Sequence, residues 1–178
     1  GFHRRTTVAL LSTLLTLSIS LVLAVIFVSA AKLFGMGSEE AVFLQLGPLE
    51  SVNLRGLLLG GIVIGCLGVL DDITTAQSAV VEELKKANPN FGFKDLYHRG
   101  LSVGREHIAS LINTLFLAYA GASLPLFLLF YTNHGQALWM IFNNEMIAEE
   151  IVRTIVGSAC LILAVPITTA FAAYVHRR

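Results

Sequence analysis

The stretch LRGLLLGGIVIGCLGVLDDITTAQSAVVEELKK, Leu54 to Lys86, decides how the rest of the chain is read. A Gly-rich run of Leu, Ile and Val is interrupted by the adjacent carboxylates Asp71 and Asp72. Apolar character returns at Ala76 and Ala79-Val80-Val81, before the charged Glu82-Glu83-Leu84-Lys85-Lys86. Leu57 to Val81 is 25 residues, enough at 1.5 Å per residue to cross about 30 Å of hydrocarbon. On the same rise the aspartates lie about 22 Å from the first end, inside a membrane-length segment. An ionised Asp at the centre of such a helix costs about 2.5–3.5 kcal/mol, and two would cost roughly 5–7. The pair must therefore be partnered, hydrated or protonated.

The whole chain fits a membrane setting. It has 178 residues, 55% hydrophobic and 13% charged, with mean hydropathy +0.74, whereas soluble domains carry about 25% charged residues. The formal net charge is zero, which gives no footprint for nucleic acid. Cys66 and Cys160 lie in apolar runs and read as small packing residues rather than a disulfide framework. The chain begins Gly-Phe-His-Arg-Arg without Met, as a fragment or processed product would, and its first apolar run is too long for a signal peptide.

Four spans follow from the hydropathy pattern, at about residues 6–31, 54–86, 106–131 and 148–174, in one all-α transmembrane domain over residues 1–178. In the first, Ser12, Thr13, Thr16, Ser18 and Ser20 can return their hydroxyls to the helix's own carbonyls and need no polar partner. Lys32 and Gly35-Met36-Gly37 close it. Glu40 to Gln45 reads as an interfacial helix before the Gly47-Pro48 breaker. Asn88-Pro89-Asn90 stops the second span. Phe91 to Arg105 mixes aromatic and basic residues, a short amphipathic helix on the inner interface, with Gly100 and Gly104 turning the chain into the third span. Lys and Arg number two before the first span, five between the second and third, and two at the C-terminus, against only Lys32, Arg55 and Arg153 elsewhere. The positive-inside rule then places both termini and the Glu82–Arg105 connection in the cytoplasm, across an inner-membrane-type bilayer, with Thr132 to Ile147 outside.

Small residues track along the second span. Gly61, Gly65, Gly68 and Asp72 follow helical spacing, and Gly56, Gly60 and Asp71 lie on the neighbouring track, so both faces are expected to pack against protein. Thr74, Thr75, Gln77 and Ser78 extend a polar seam toward the basic end. The third span offers Ser110, Thr114, Ala118 and Gly121 in one stripe with Asn113 beside it, near the depth of the aspartates, so direct or water-mediated contact is expected. Arg153 is placed too near the outer surface to reach them and is expected to pair with Glu149 or Glu150.

Buried carboxylates beside small residues suit a proton or cation relay, with Asp71, Asp72, Thr75, Ser110, Asn113 and Thr114 as candidates. The alternative is a non-transporting assembly scaffold in which the pair is structural. Acid–base hydrolysis needs two carboxylates facing each other across a site, whereas neighbours on one helix diverge, so no enzyme is expected. No HExxH or CxxC spacing marks a metal site, and no cofactor is implied.

Three segments carry a family resemblance: NLRGLLLGGIVIGCLGVLDDITTAQSAVVEELKKANP, LYHRGLSVGREHIASLINTLFLAYAGASLPL and EEIVRTIVGSACLILAVPITT. Across about Leu54 to Ala172 they resemble the signature blocks of YibE/F-like membrane proteins. The resemblance implies the C-terminal membrane portion of a longer protein, with earlier spans and an extracytoplasmic domain, and brings no substrate. A fainter similarity is to half of a SecD/SecF or resistance-nodulation-division exporter, which implies a proton-relay role for Asp71 or Asp72 and a second membrane half or subunit as partner. Unlike those exporters, this chain has adjacent acids and no mid-membrane Lys or Arg beside them.

Overall fold

A computed structural model describes residues 4–47, 52–132 and 138–177. Among them are seven helices and no strand: α1 Arg4–Ala30, α2 Glu39–Leu46, α3 Leu54–Ala87, α4 Phe93–Ala122, α5 Leu124–Thr132, α6 Leu138–Phe142 and α7 Glu145–His176. His3, Pro48, His134 and part of the expected outer loop lie outside the described residues. The stretch Arg5–Ala30, α3 and α7 are each long and apolar enough to cross a membrane, as expected for spans one, two and four.

These three helices form the core. α1, α3 and α7 pack on one another around Ala24, Val28, Leu70, Ile73, Val156, Ala164 and Val165, each fully buried. The inward residues of α3 recur at helical spacing, Leu54, Leu58, Ile62, Cys66, Leu70, Ile73, Thr74, Gln77, Ser78 and Val81, which is the stripe that a helix presents to its neighbours. Cys66 and Cys160 are buried free thiols in this core. A smaller cluster of Val8, Val81, Leu96, Ala172 and Ala173 closes the end that carries Arg5, Lys85 and His176, called the basic end below.

Asn53 and Asn144 cap α3 and α7, each side chain accepting a backbone N–H at 3.0 Å, from Gly56 and Met146. Helix α7 starts at Glu145, three residues before the expected boundary, and runs on through Pro166.

The third expected span and its amphipathic lead-in are organised differently. Phe93 to Ala122 is one continuous helix, so Gly100 and Gly104 do not turn the chain. They are places where neighbouring side chains press on the α4 backbone. A Cβ at Gly100 would lie 2.9 Å from Thr169 Cγ2 and from Val81 Cγ2. One at Gly104 would collide with Val165 Cγ1 and lie 2.8 Å from Gln77 Oε1. The expected 106–131 helix is divided at Ser123, two residues before Pro125, whose ring removes an amide donor and crowds the carbonyl four residues earlier. The charged first turns of α4 leave it outside the set of helices apolar enough to span. Together α4 and α5 still follow α7, from Gly100 beside Thr169 through Leu115 beside Gly157 to Phe127 near Ile147.

Replacing a mid-helix glycine by alanine ordinarily stabilises by about 0.5–1 kcal/mol. For Gly104→Ala the sign reverses: overpacking against Val165 and Gln77 should cost about 1–3 kcal/mol, whereas Gly68→Ala, with nothing within 4 Å, should show the ordinary gain. Unfolding midpoints of the purified protein in one detergent compare the two directly.

Candidate functional site

Packing α3 against α1 and α7 decides where its polar residues go. Thr74, Gln77 and Ser78 turn inward and are buried, so the expected polar seam is split between two faces. Thr74 Oγ1 lies 2.7 Å from Thr13 Oγ1, Ser78 donates to the Arg5 carbonyl at 3.2 Å, and Gln77 Nε2 donates to the Gly100 carbonyl at 2.8 Å and to Thr169 Oγ1 at 2.7 Å. Thr13 and Ser20 do return their hydroxyls to carbonyls one turn back, both at 2.9 Å. They also join helices, Thr13 to Thr74 and Ser20 to Cys160 Sγ at 2.8 Å.

Asp71, Asp72 and Thr75 fall outside the buried stripe. All three are exposed, as are Gly56, Gly60, Gly61, Gly65 and Gly68. A Cβ at Gly60, Gly65 or Gly68 would meet nothing within 4 Å, and one at Gly61 only Arg153 Nη1 at 3.8 Å. The glycine tracks and Asp72 thus form a bare surface, and the expectation that both α3 faces pack against protein is not met among the described residues of this chain. The reason is geometric. α3 has one inward stripe, filled by Leu70, Ile73, Thr74 and Gln77, and residues 71, 72 and 75 fall outside it.

The two aspartates differ in setting. Asp71 is seven residues before Ser78 and so shares its sector, toward α1; it lines a cavity of about 680 Å³ with Arg5, Thr13, Thr75, Glu82 and His176. Asp72 continues the Gly61–Gly65–Gly68 line. Among the described residues neither carboxylate has a hydrogen-bond or ion-pair partner; only the Asp71 main-chain carbonyl is engaged, by Thr74 Oγ1 at 3.4 Å.

Among the described residues no direct hydrogen bond joins the aspartates to α4. Ser110, Asn113 and Thr114 are exposed, Thr114 returning its hydroxyl to the Ser110 carbonyl at 3.1 Å. Gly121 also has nothing within 4 Å. Counting residues from the Gln77–Gly104 approach puts Ser110 level with Asp72 and Asp71. α4 leans onto α7 beyond that point, so the two polar rows stand at one height without touching.

At the opposite end lies a cluster that the sequence reading did not single out. Glu145 Oε1 accepts the consecutive backbone N–H groups of Phe34, Gly35 and Met36 at 2.6, 2.9 and 3.3 Å, and the buried Glu149 accepts that of Gly37 at 3.0 Å. Lys32 and Gly35 adopt φ of 53° and 85°, left-handed values that help the connector curl its amides around one oxygen. The legible signal was Asn144 followed by acids in the first turn of a helix. Arg153 pairs with Glu150, Nε to Oε1 3.4 Å, one of the two expected partners.

Among the described residues no three His, Cys, Asp or Glu side chains group as a metal site would. Comparison with known proteins gives one match: the family model described as YibE/F-like protein covers residues 1–178. No curated protein and no solved structure matches, and the SecD/SecF-like similarity remains an expectation from sequence pattern.

Glu145→Ala should free three backbone donors of the 34–36 connector while leaving the α1–α3–α7 core in place. Hydrogen exchange should then speed up at Phe34, Gly35 and Met36 and stay slow at Leu70 and Ile73; equal exchange with and without Glu145 would show that the connector is held otherwise.

Proposed function

The chain belongs to the YibE/F-like protein family, and from that premise we propose that it is one membrane half of a proton- or ion-coupled transporter or export-accessory component. The observation that carries the reading is the open carboxylate pair. Asp71 and Asp72 sit near the middle of a 34-residue helix, about 25 Å from its start, exposed and without a partner among the described residues. Lasting contact with lipid would cost several kcal/mol for each ionised group. A second protein surface, water or a bound proton relieves that cost, and a group that exchanges among these states can couple ion passage to helix movement.

In this reading α4 and α5 together make the third of four crossings, both termini are cytoplasmic, and the membrane is the inner one. Support for the sidedness comes from the charge count, since Arg5, Lys85 and Lys86 all belong to the basic end. Asp71, Asp72 and Thr75 are the relay groups. Ser110, level with them, and Asn113 and Thr114, about one turn beyond, complete the path when α4 moves toward α3 or a second subunit fills the gap.

A second reading, a non-transporting assembly scaffold, draws support from the bare Gly61, Gly65 and Gly68, which would let another helix approach the α3 backbone. The readings separate by substitution. Under the transport reading, Asp71→Asn and Asp72→Asn in the intact protein each abolish coupled flux in proteoliposomes while leaving membrane assembly unchanged. Under the scaffold reading, Gly61→Leu and Gly65→Leu break a complex seen by native electrophoresis, and both Asn variants keep full function.

A further inference from the structure

We infer that the groove between α1 and α3 is a water-filled vestibule that brings protons from the basic end to Asp71 and stops there. The inference rests on the relay reading of Asp71 and adds its access route. Of the groups lining the 680 Å³ cavity, Arg5, Glu82 and His176 stand at its mouth, one each from α1, α3 and α7. Asp71, Thr75 and Glu82 follow one another along α3 at spacings of four and seven residues, so they share a side of the helix over about 16 Å. The opposite wall is α1, where Thr6, Ala9 and Thr13 recur at turn spacing, with Ala9 and Thr13 forming the buried floor.

The far end is apolar. Leu67, one turn above Asp71, and Leu14, next to Thr13, are the last lining groups. Above that level the α1–α3 contact passes into the apolar core of Leu17, Ala24, Ile62 and Cys66. The groove thus offers polar groups from its mouth to Asp71, beside the apolar Ala9 and Leu10, and past Asp71 only Leu14 and Leu67.

An acyl chain lying there would strip water from Arg5, Glu82 and Asp71 without replacing it. A water column hydrates all three and needs only the hydroxyl and carboxylate partners that the walls supply. A hydronium in this column transfers its proton to the Asp71 carboxylate, giving the neutral acid and water. Asp72 does not line the cavity, so the adjacent acids differ in access, with Asp71 open to the basic end and Asp72 on the glycine face. This asymmetry lets a single pair of residues serve two surfaces.

Thiol labelling tests the vestibule in the intact protein in membranes. Thr75→Cys, and Leu10→Cys as a second lining position should the first variant fail to assemble, are treated with a charged, membrane-impermeant thiosulfonate supplied from the basic end. Because the thiolate is the reactive species and forms in water, both should react about tenfold or more faster than Gly68→Cys on the glycine face. Adding Ala9→Phe, which fills the floor, should remove the difference. Labelling no faster than at Gly68, or only by a lipid-soluble maleimide, would overturn the vestibule in favour of a lipid-filled groove. Fast labelling combined with undiminished coupled flux in Asp71→Asn would leave the vestibule standing and sink the relay. Flux lost in Asp71→Asn without fast labelling would do the reverse.

Discussion

The contact of α1, α3 and α7 along Leu70, Ile73, Val156 and Val165 is the constraint on which the other features depend. One helix can turn only one stripe toward two neighbours. Once that stripe on α3 is Leu70-Ile73-Thr74-Gln77, its side chains at 71, 72 and 75 must point away. The exposure of the carboxylates is therefore a consequence of core packing and not a local preference of the aspartates. The hydroxyl pair Thr13–Thr74 links α1 to α3 within that contact, and sliding either helix by a turn would lose that interhelical bond.

Gln77 does for α4 what Thr74 does for α1. Its amide ties α3 to the Gly100 backbone and to Thr169 on α7, and the two α4 glycines let the helices come close enough for that bond. The same residues hold α4 near α3 only at the basic end, which leaves Ser110 facing outward at the height of the aspartates, with Asn113 and Thr114 about one turn beyond. Above that anchor α4 rests on α7, with Leu115 beside Gly157. The break at Ser123–Pro125 separates the upper part of that traverse from the rest.

The opposite end is tied by charge-assisted bonds. Glu145 and Glu149 hold the connector after α1 onto the start of α7, so α1 and α7 are fixed to each other at both ends of their contact. Variation in the groove between α1 and α3, where Asp71 lies, is then limited to side chains and to tilt of α3. A carboxylate that changes charge against such a fixed wall can alter hydration without unravelling the bundle.

Much of this was legible in the sequence. Hydropathic length announced α1, α3 and α7, because crossing a bilayer sets a minimum apolar run that composition alone reveals. The carboxylates at 71 and 72 and the glycine line from 61 to 68 were legible for the same reason, as breaks in that run, and so was the family. Sequence could not assign inward and outward. Thr74, Thr75, Gln77 and Ser78 look alike in a hydropathy profile, yet three are buried and Thr75 is exposed, since the assignment depends on which sector α1 and α7 occupy. Gly100 and Gly104 read as turn residues because a glycine's two uses, bending the chain and admitting a neighbour, leave the same letter. Only the presence of Thr169, Val81 and Val165 against them distinguishes the second. The sequence by itself determined that charge lies within a membrane-length helix; the tertiary structure decided that it faces outward, because packing a helix is a choice of one side and that choice is made by its neighbours.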